Sequence, residues 1–154
     1  DPLTDLLNRG SFNRIFPICC QGKSPFALVL VDIDLFKSIN DTCGHTAGDE
    51  VIKRIAAQLK SAFRSEDYTF RIGGDEFAVI MVDVSEALRE PLEERLRLLC
   101  DTVAGSSTGL PPISISVGAA FSDRRNPEDT LFNDADKALY DVKEHGKASY
   151  RIFG

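Results

Sequence analysis

The topology of this chain turns on Tyr68-Thr69-Phe70-Arg71-Ile72-Gly73-Gly74-Asp75-Glu76-Phe77-Ala78-Val79-Ile80-Met81-Val82. Two β-rich runs, Tyr68 to Ile72 and Phe77 to Val82, flank Gly73-Gly74-Asp75-Glu76, the composition of a hairpin turn. Upstream, Phe26 to Ile33 has the apolar continuity of a strand buried on both faces. Between it and the hairpin, Val51, Ile52, Ile55, Ala56, Leu59 and Phe63 recur at helical spacing, which predicts a helix from Gly44 to Phe63. Downstream, Pro91 opens a helix through Leu92, Leu96, Leu99 and Val103. A Gly/Ser/Pro-rich loop from Gly105 to Pro112 leads into a strand from Ile113 to Phe121. Pro127 starts a last helix that ends at Gly146, and Ser149 to Phe153 reads as a short final strand. Residues 4 to 20 read as one or two short helices interrupted at Gly10, with Thr4 as N-cap.

After the leading helices the order is β-α-β-β-α-β, then a helix and a strand. This is the split arrangement of an α+β, ferredoxin-like (palm-type) mixed sheet of about five strands flanked by helices. In that topology the first and second strands run parallel, with the third antiparallel between them. The hairpin turn then lies at the same end of the sheet as the close of the first strand. Asp32 and Asp34 therefore come near Asp75 and Glu76. Four converging carboxylates repel one another unless a cation sits among them, and a hard divalent ion with oxygen ligands answers that need. Asp32 and Asp34 are two apart and share a strand face, though not both need be ligands. Gly73 and Gly74 allow positive φ and close approach of a ligand to the backbone. Phe36 and Lys37 follow where a helix begins, so free N–H groups there can cradle phosphates.

Composition narrows the field. The 154 residues carry 18 basic and 24 acidic side chains, a net charge of −6. With a pI near 4.9, a general surface for a nucleic-acid polymer is excluded, because that requires a basic face. One small anionic ligand, held through metal ions and a few lysines, is not. The longest apolar run, Phe26 to Val31, is far short of a membrane span. Cys19, Cys20, Cys43 and Cys100 form no Cys-x-x-Cys pair, so a structural zinc site is not expected and reduced thiols in a cytosolic domain are. The chain opens on Asp1 and holds Met81 as its only methionine, which reads as one domain taken from a longer protein.

Arg71-Ile72-Gly73-Gly74-Asp75-Glu76-Phe77 resembles the signature of GGDEF domains, the diguanylate cyclases. The resemblance extends to Asp1-Pro2-Leu3-Thr4-Asp5-Leu6-Leu7-Asn8-Arg9 and to Asp32-Ile33-Asp34-Leu35-Phe36-Lys37-Ser38-Ile39-Asn40-Asp41 with Gly44-His45 and Gly48-Asp49. Ser116-Val117-Gly118 and Ala135-Asp136-Lys137-Ala138-Leu139-Tyr140 are similar to later family motifs, so residues 1–154 are expected to form one catalytic domain of this kind. The family condenses two GTP molecules into cyclic di-GMP and releases pyrophosphate.

The resemblance implies Asp32, the Ile33 carbonyl and Asp75 as holders of Mg²⁺ or Mn²⁺, two ions per half-site. Glu76 assists at the metal and phosphate centre, and Asp75 is the candidate base for the attacking 3′-hydroxyl. Asn40 and Asp49 match the guanine-reading pair, and a carboxylate suits the N1–H and N2–H donors of guanine, which adenine lacks. His45 lines the same pocket. Phe36, Lys37, Gly73 and Gly74 belong to the nucleotide site, and Lys143 and Lys147 match the residues that contact the terminal phosphates. Lys147-Ala148 departs from the family's Arg-Asn but keeps the charge. Arg64-x-x-Asp67 matches the family's inhibitory product-binding motif, whereas chemistry alone offers a surface ion pair. Further implications are a second copy facing the first, an upstream sensor and a cytoplasmic location. The competing readings are a silent GTP or cyclic di-GMP receptor module, which usually carries a broken signature, and a class III nucleotidyl cyclase making a cyclic mononucleotide.

Overall fold

A strand with apolar side chains at nearly every position must be covered on both faces. Residues 26–33 meet that condition: in the computed structural model, which describes residues 1–105 and 112–154, the strand β1 (Phe26–Ile33) is buried throughout. It follows helix α1 (Arg9–Gln21) and precedes α2 (Phe36–Cys43) and α3 (His45–Ala62). Then come β2 (Tyr68–Arg71), β3 (Glu76–Val82), α4 (Arg89–Ala104), β4 (Ile115–Phe121), α5 (Pro127–Glu144) and β5 (Tyr150–Ile152).

The five-stranded sheet has the order β2-β3-β1-β4-β5. β3 lies antiparallel between β1 and β2, β4 is antiparallel to β1, and β5 runs parallel to β4. This is the expected α+β mixed sheet. Period-two alternation splits the core into two layers. Val29, Val31, Phe77 and Val79 pack with Val51, Ile55 and Leu59 of α3 and Leu92, Leu96 and Leu99 of α4. Leu28, Leu30, Ala78 and Ile80 pack on the other side with Phe12 and Phe16 of α1 and Leu131, Ala135 and Leu139 of α5.

Two contacts fix the parts that reach the site. A Cβ added at Gly118 of β4 would stand 2.3 Å from the Leu139 nitrogen and 2.4 Å from the Ala135 carbonyl oxygen. Glycine thus lets α5 lie directly on the sheet. The free edge of β2 is covered by the N-terminal segment: Leu7 N–H donates to Thr69 (3.2 Å) and Arg71 N–H donates to Leu7 (2.8 Å). Covering an edge in this way removes a template for wrong pairing.

Several expected boundaries shift. Thr4 is not an N-cap; its N–H and hydroxyl both donate to the Asp1 carboxylate. The cap of α1 is Asn8, whose side chain accepts from Ser11 N–H at 2.9 Å. Gly10 falls in the first turn and does not interrupt the helix, since a residue there lies next to the cap and not in the helix interior. The predicted helix from Gly44 starts at His45, with α2 before it and Gly44 between them at φ 88°. Pro91 sits inside the first turn of α4, which begins at Arg89, and β4 begins at Ile115. α5 ends at Glu144, and Gly146, at φ 106°, lies in the turn beyond. The predicted loop from Gly105 to Pro112 lies mostly outside the described residues.

Candidate active site

Register brings the predicted acids together. Asp32, one residue before the end of β1, pairs directly with Glu76, the first residue of β3. Ile33 N–H donates to the Asp75 carbonyl at 3.1 Å, which extends the pairing into the turn. Arg71 holds that turn from behind, donating to the Gly74 carbonyl at 2.9 Å and pairing with Asp1 at 3.3 Å. Neither Gly73 nor Gly74 uses a positive φ. What glycine provides is room: a Cβ at Gly73 would press on the Glu76 side chain at 3.3 Å, and Gly74 faces open space.

Asp32 is buried, and Lys143, near the C-terminal end of α5, donates a hydrogen bond to its Oδ2. Burial first, then the Asp75 and Asp136 charges, hold the Asp32 carboxyl above its ordinary pKa against the pull of Lys143. Glu76 is also held above its usual value, by partial burial and by the charges of Asp32 and Asp75. Burial works against the Lys143 ammonium, yet the Asp32 hydrogen bond and the surrounding acids keep its pKa raised. Together these directions describe an acid cluster short of positive charge. Arg9 and Asp136 line the same cavity of about 310 Å³ as Asp32, Glu76 and Lys143. Neither was singled out as a site residue in the sequence, although each stands in a stretch that carried the resemblance.

Asp34 leaves the cluster. It lies beyond the end of β1, before Leu35 at φ 54°. Its carboxylate accepts from the Ser114 hydroxyl (2.6 Å), the Ser116 hydroxyl (2.5 Å) and Ala148 N–H (3.0 Å). Asp34 thereby ties the start of β4 to the turn that follows α5, where Lys147 and Ala148 hold φ values of 61° and 52°. Non-glycine residues in this left-handed region persist only when neighbours fix them. Asp34 keeps the face it was expected to share with Asp32, since Ser116, whose hydroxyl it accepts from, pairs in register with Asp32, but its lone pairs are spent on β4 and the turn after α5.

The remaining nucleotide-site candidates gather at the corner between α2 and α3. Phe36 and Asn40 of α2 close over Gly48 of α3, where a Cβ would stand 1.9 Å from Asn40 Oδ1 and 3.3 Å from the Phe36 ring. Asn40 Oδ1 is buried without a hydrogen-bond partner, a condition that costs about 1–3 kcal/mol until a donor arrives. Asp49 follows Gly48 on the exposed side of α3, and His45 and Lys37 are exposed at the first turns of α3 and α2. Lys147 is exposed in the turn after α5.

Residues 1–149 match the family model described as diguanylate cyclase, GGDEF domain. This chain belongs to the GGDEF family. It is 35% identical over 153 residues to the diguanylate cyclase DosC of Escherichia coli K12, covering 96% of this chain and 33% of that protein. It is 38% identical over 156 residues to the response regulator PleD of Caulobacter vibrioides, covering 96% and 34%. The GGDEF chain thus spans about a third of the length of these curated relatives. Among solved structures, the GGDEF domain of DgcB from Caulobacter crescentus in complex with c-di-GMP superposes with a TM-score of 0.87 at 28% identity. That match covers 99% of this chain and 94% of that one. The GGDEF-only form of PA1120 from Pseudomonas aeruginosa gives the same TM-score at 28% identity, covering 100% and 94%.

Arg64 and Asp67 stand at the other end of the sheet from the GGDEF turn. The Asp67 side chain is wholly buried. It accepts from Arg64 Nη2 (2.9 Å), Arg64 N–H (3.0 Å) and Val82 N–H (3.1 Å). Arg64 also donates to the Val82 carbonyl. The pair is therefore a clip between the end of α3 and β3, more embedded than a surface ion pair. Its outward face remains open, because a cavity of about 130 Å³ brings Arg64 beside Arg95 of α4. Arg95 was not legible in the sequence, since its place depends on how α4 packs.

GGDEF diguanylate cyclases are generally metal-dependent, and the residues here fit a hard cation. The donors are oxygens, and one cation, the Lys143 ammonium, already sits against Asp32. Among the described residues, no three His, Cys, Asp or Glu side chains are placed to hold a metal ion by themselves. That arrangement suits Mg²⁺, which takes one or two carboxylates and completes its shell with phosphate and water oxygens.

Proposed function

We propose that this domain condenses two GTP molecules into cyclic di-GMP, releasing two pyrophosphates, with one GTP presented by each of two facing copies. The observation that carries the reading is the pairing of Asp32 with Glu76, which gathers the signature acids and Lys143 at one end of the sheet. Asp32, the Ile33 carbonyl and Asp75 would hold Mg²⁺ or Mn²⁺, two ions per half-site. When bound, the metal offsets phosphate charge and makes the 3′-hydroxyl easier to deprotonate.

The chain's own groups do the rest. Asn40 and Asp49 read the guanine edge, with the Asp49 carboxylate accepting from its N1–H and N2–H donors. The N–H groups at Phe36 and Lys37 orient the phosphates, and Lys143 and Lys147 hold the terminal ones. Asp75 takes the proton of the 3′-hydroxyl as its oxygen bonds to the α-phosphorus of the facing nucleotide. The bond from that phosphorus to the β-phosphate oxygen breaks, and pyrophosphate leaves. Glu76 supports the phosphate centre. Arg64 and Arg95 bind the cyclic product as a feedback ligand, with Asp67 fixing Arg64. We further propose that the domain works in the cytosol within a longer protein whose upstream sensor governs pairing. No helix among the described residues is long and apolar enough to cross a membrane.

The test is product identification after fusing the chain to a dimeric coiled coil and supplying GTP with Mg²⁺. Cyclic di-GMP is expected by mass spectrometry, and the unfused chain should gain specific activity with concentration. Asp75→Ala should lower turnover by at least about a hundredfold, the scale of losing one electrostatic stabiliser. GTP binding without product would instead mark a receptor module, and a cyclic mononucleotide would mark the other cyclase chemistry.

A further inference from the structure

Lys143 sits near the C-terminal end of α5, where a cation is favoured by the helix dipole alone. Its ammonium nevertheless does not serve the last helical carbonyls. It crosses to β1 and donates to Asp32 Oδ2, with 38% of the lysine side chain exposed and 12% of the aspartate. The pair joins residues 111 positions apart and closes over the same cavity as Glu76, Asp136 and Arg9. A buried carboxylate without a partner is costly, and a single cation of either kind relieves that cost. Lys143 and a divalent ion therefore compete for one oxygen. The described side chains also lack a three-donor set that could outbid the ammonium without help.

We infer that Lys143 is the built-in counterion of Asp32, excluding free divalent cations from the nucleotide-free domain until a triphosphate draws the ammonium away. The inference rests on the proposed GTP and metal reading of this site and specifies its ligand as the metal–triphosphate pair, taken up together. A polyphosphate offers Lys143 several anionic oxygens and offers the metal the donors that the protein lacks. Each arrival lowers the cost of the other, so metal and nucleotide bind with positive coupling. Lys143 is thus a positioning residue in two states, on Asp32 before substrate and on phosphate after it.

Equilibrium dialysis of the chain against Mn²⁺ tests this, with and without guanosine 5′-(α,β-methylene)triphosphate, which cannot transfer its α-phosphorus. The wild-type chain should retain Mn²⁺ only when the analogue is present. Lys143→Met should retain Mn²⁺ without nucleotide at least about tenfold more tightly than wild type, because a like charge has left the site. Lys143→Arg, which keeps the charge, should remain closed to Mn²⁺ alone. The double variant Asp32→Asn with Lys143→Met should lose the gain. Equal Mn²⁺ affinity for wild type with and without the analogue overturns the inference even should Lys143→Met fail to fold. So does a folded Lys143→Met that binds Mn²⁺ no better than wild type. Failure of the wild type to retain either Mn²⁺ or the analogue, when both are supplied, would instead sink the nucleotide reading itself.

Discussion

At Asp67 a carboxylate has no solvent exposure and spends its lone pairs on Arg64 and on the Val82 amide. Whatever ligand meets the Arg64 face, Asp67 is first a structural group. Asp67→Ala strands the Val82 N–H and releases Arg64, which should cost about 2–4 kcal/mol. Urea denaturation of the metal-free chain checks this, and an unchanged midpoint would deny the role. Arg64→Ala leaves Asp67 its two backbone donors, so its stability loss should be smaller while feedback by cyclic di-GMP disappears. Sequence spacing alone made Arg64 and Asp67 look like an i,i+3 surface pair. It carried no sign of Val82, because that contact crosses from a helix end to a strand and depends on three-dimensional closure. Asp34 teaches the same lesson in reverse. Its two-residue offset from Asp32 predicted a shared face, and the face is kept, but Ser114 and Ser116 across the ladder take up its lone pairs, which the offset alone could not show.

Helix α5 delivers Lys143 to the site, and what sets its height above the sheet is the missing side chain at Gly118. Atoms of the α5 backbone stand 2.3–2.7 Å from where a Cβ would be. These are main-chain atoms, which cannot rotate aside. Gly118→Ala must lift the helix or bend β4, an overpacking cost of about 1–3 kcal/mol or more. Thermal melting should show the loss, and the displaced Lys143 should weaken binding of the GTP analogue beyond the change in melting temperature. Full-strength nucleotide binding by a destabilised Gly118→Ala chain would show that α5 can move without disturbing the site. The elements themselves were legible, because unbroken apolar runs at residues 26–31 and 77–82 and a 3.6 period over residues 51–63 are written directly in the sequence. The first helix was not. Gly10 and Thr4 are ordinary break and cap signals, and they were outweighed by Asn8 capping a helix whose Phe12 and Phe16 bury against Phe70 and Phe26.

On the scale of the whole molecule, the sheet is apolar through its middle and carries its acids at one end, where β1 stops and β3 begins. The predicted strand order already implied this placement, and the observed register of β1 with β3 bears it out. The compensating cation on α5 shows only in the packed structure. Such an end is strained electrostatically in the absence of ligand. Glu76 has a folded-state pKa above its ordinary value, through partial burial and the Asp32 and Asp75 charges. Its ionised form therefore opposes folding. The opposition is absent below the unfolded carboxylate pKa of about 4.3, grows as pH rises through the raised folded value, and is complete above it. Glu76→Gln should then stabilise the chain in EDTA at pH 7, by less than about 1 kcal/mol because the side chain is exposed and solvent screens it. The gain should vanish near pH 3.5. Melting curves at the two pH values, run side by side for wild type and variant, decide the matter. A variant that melts below wild type at pH 7 would mean that Glu76 is already neutralised by Arg9 or Lys143, and that the acid end does not await a cation.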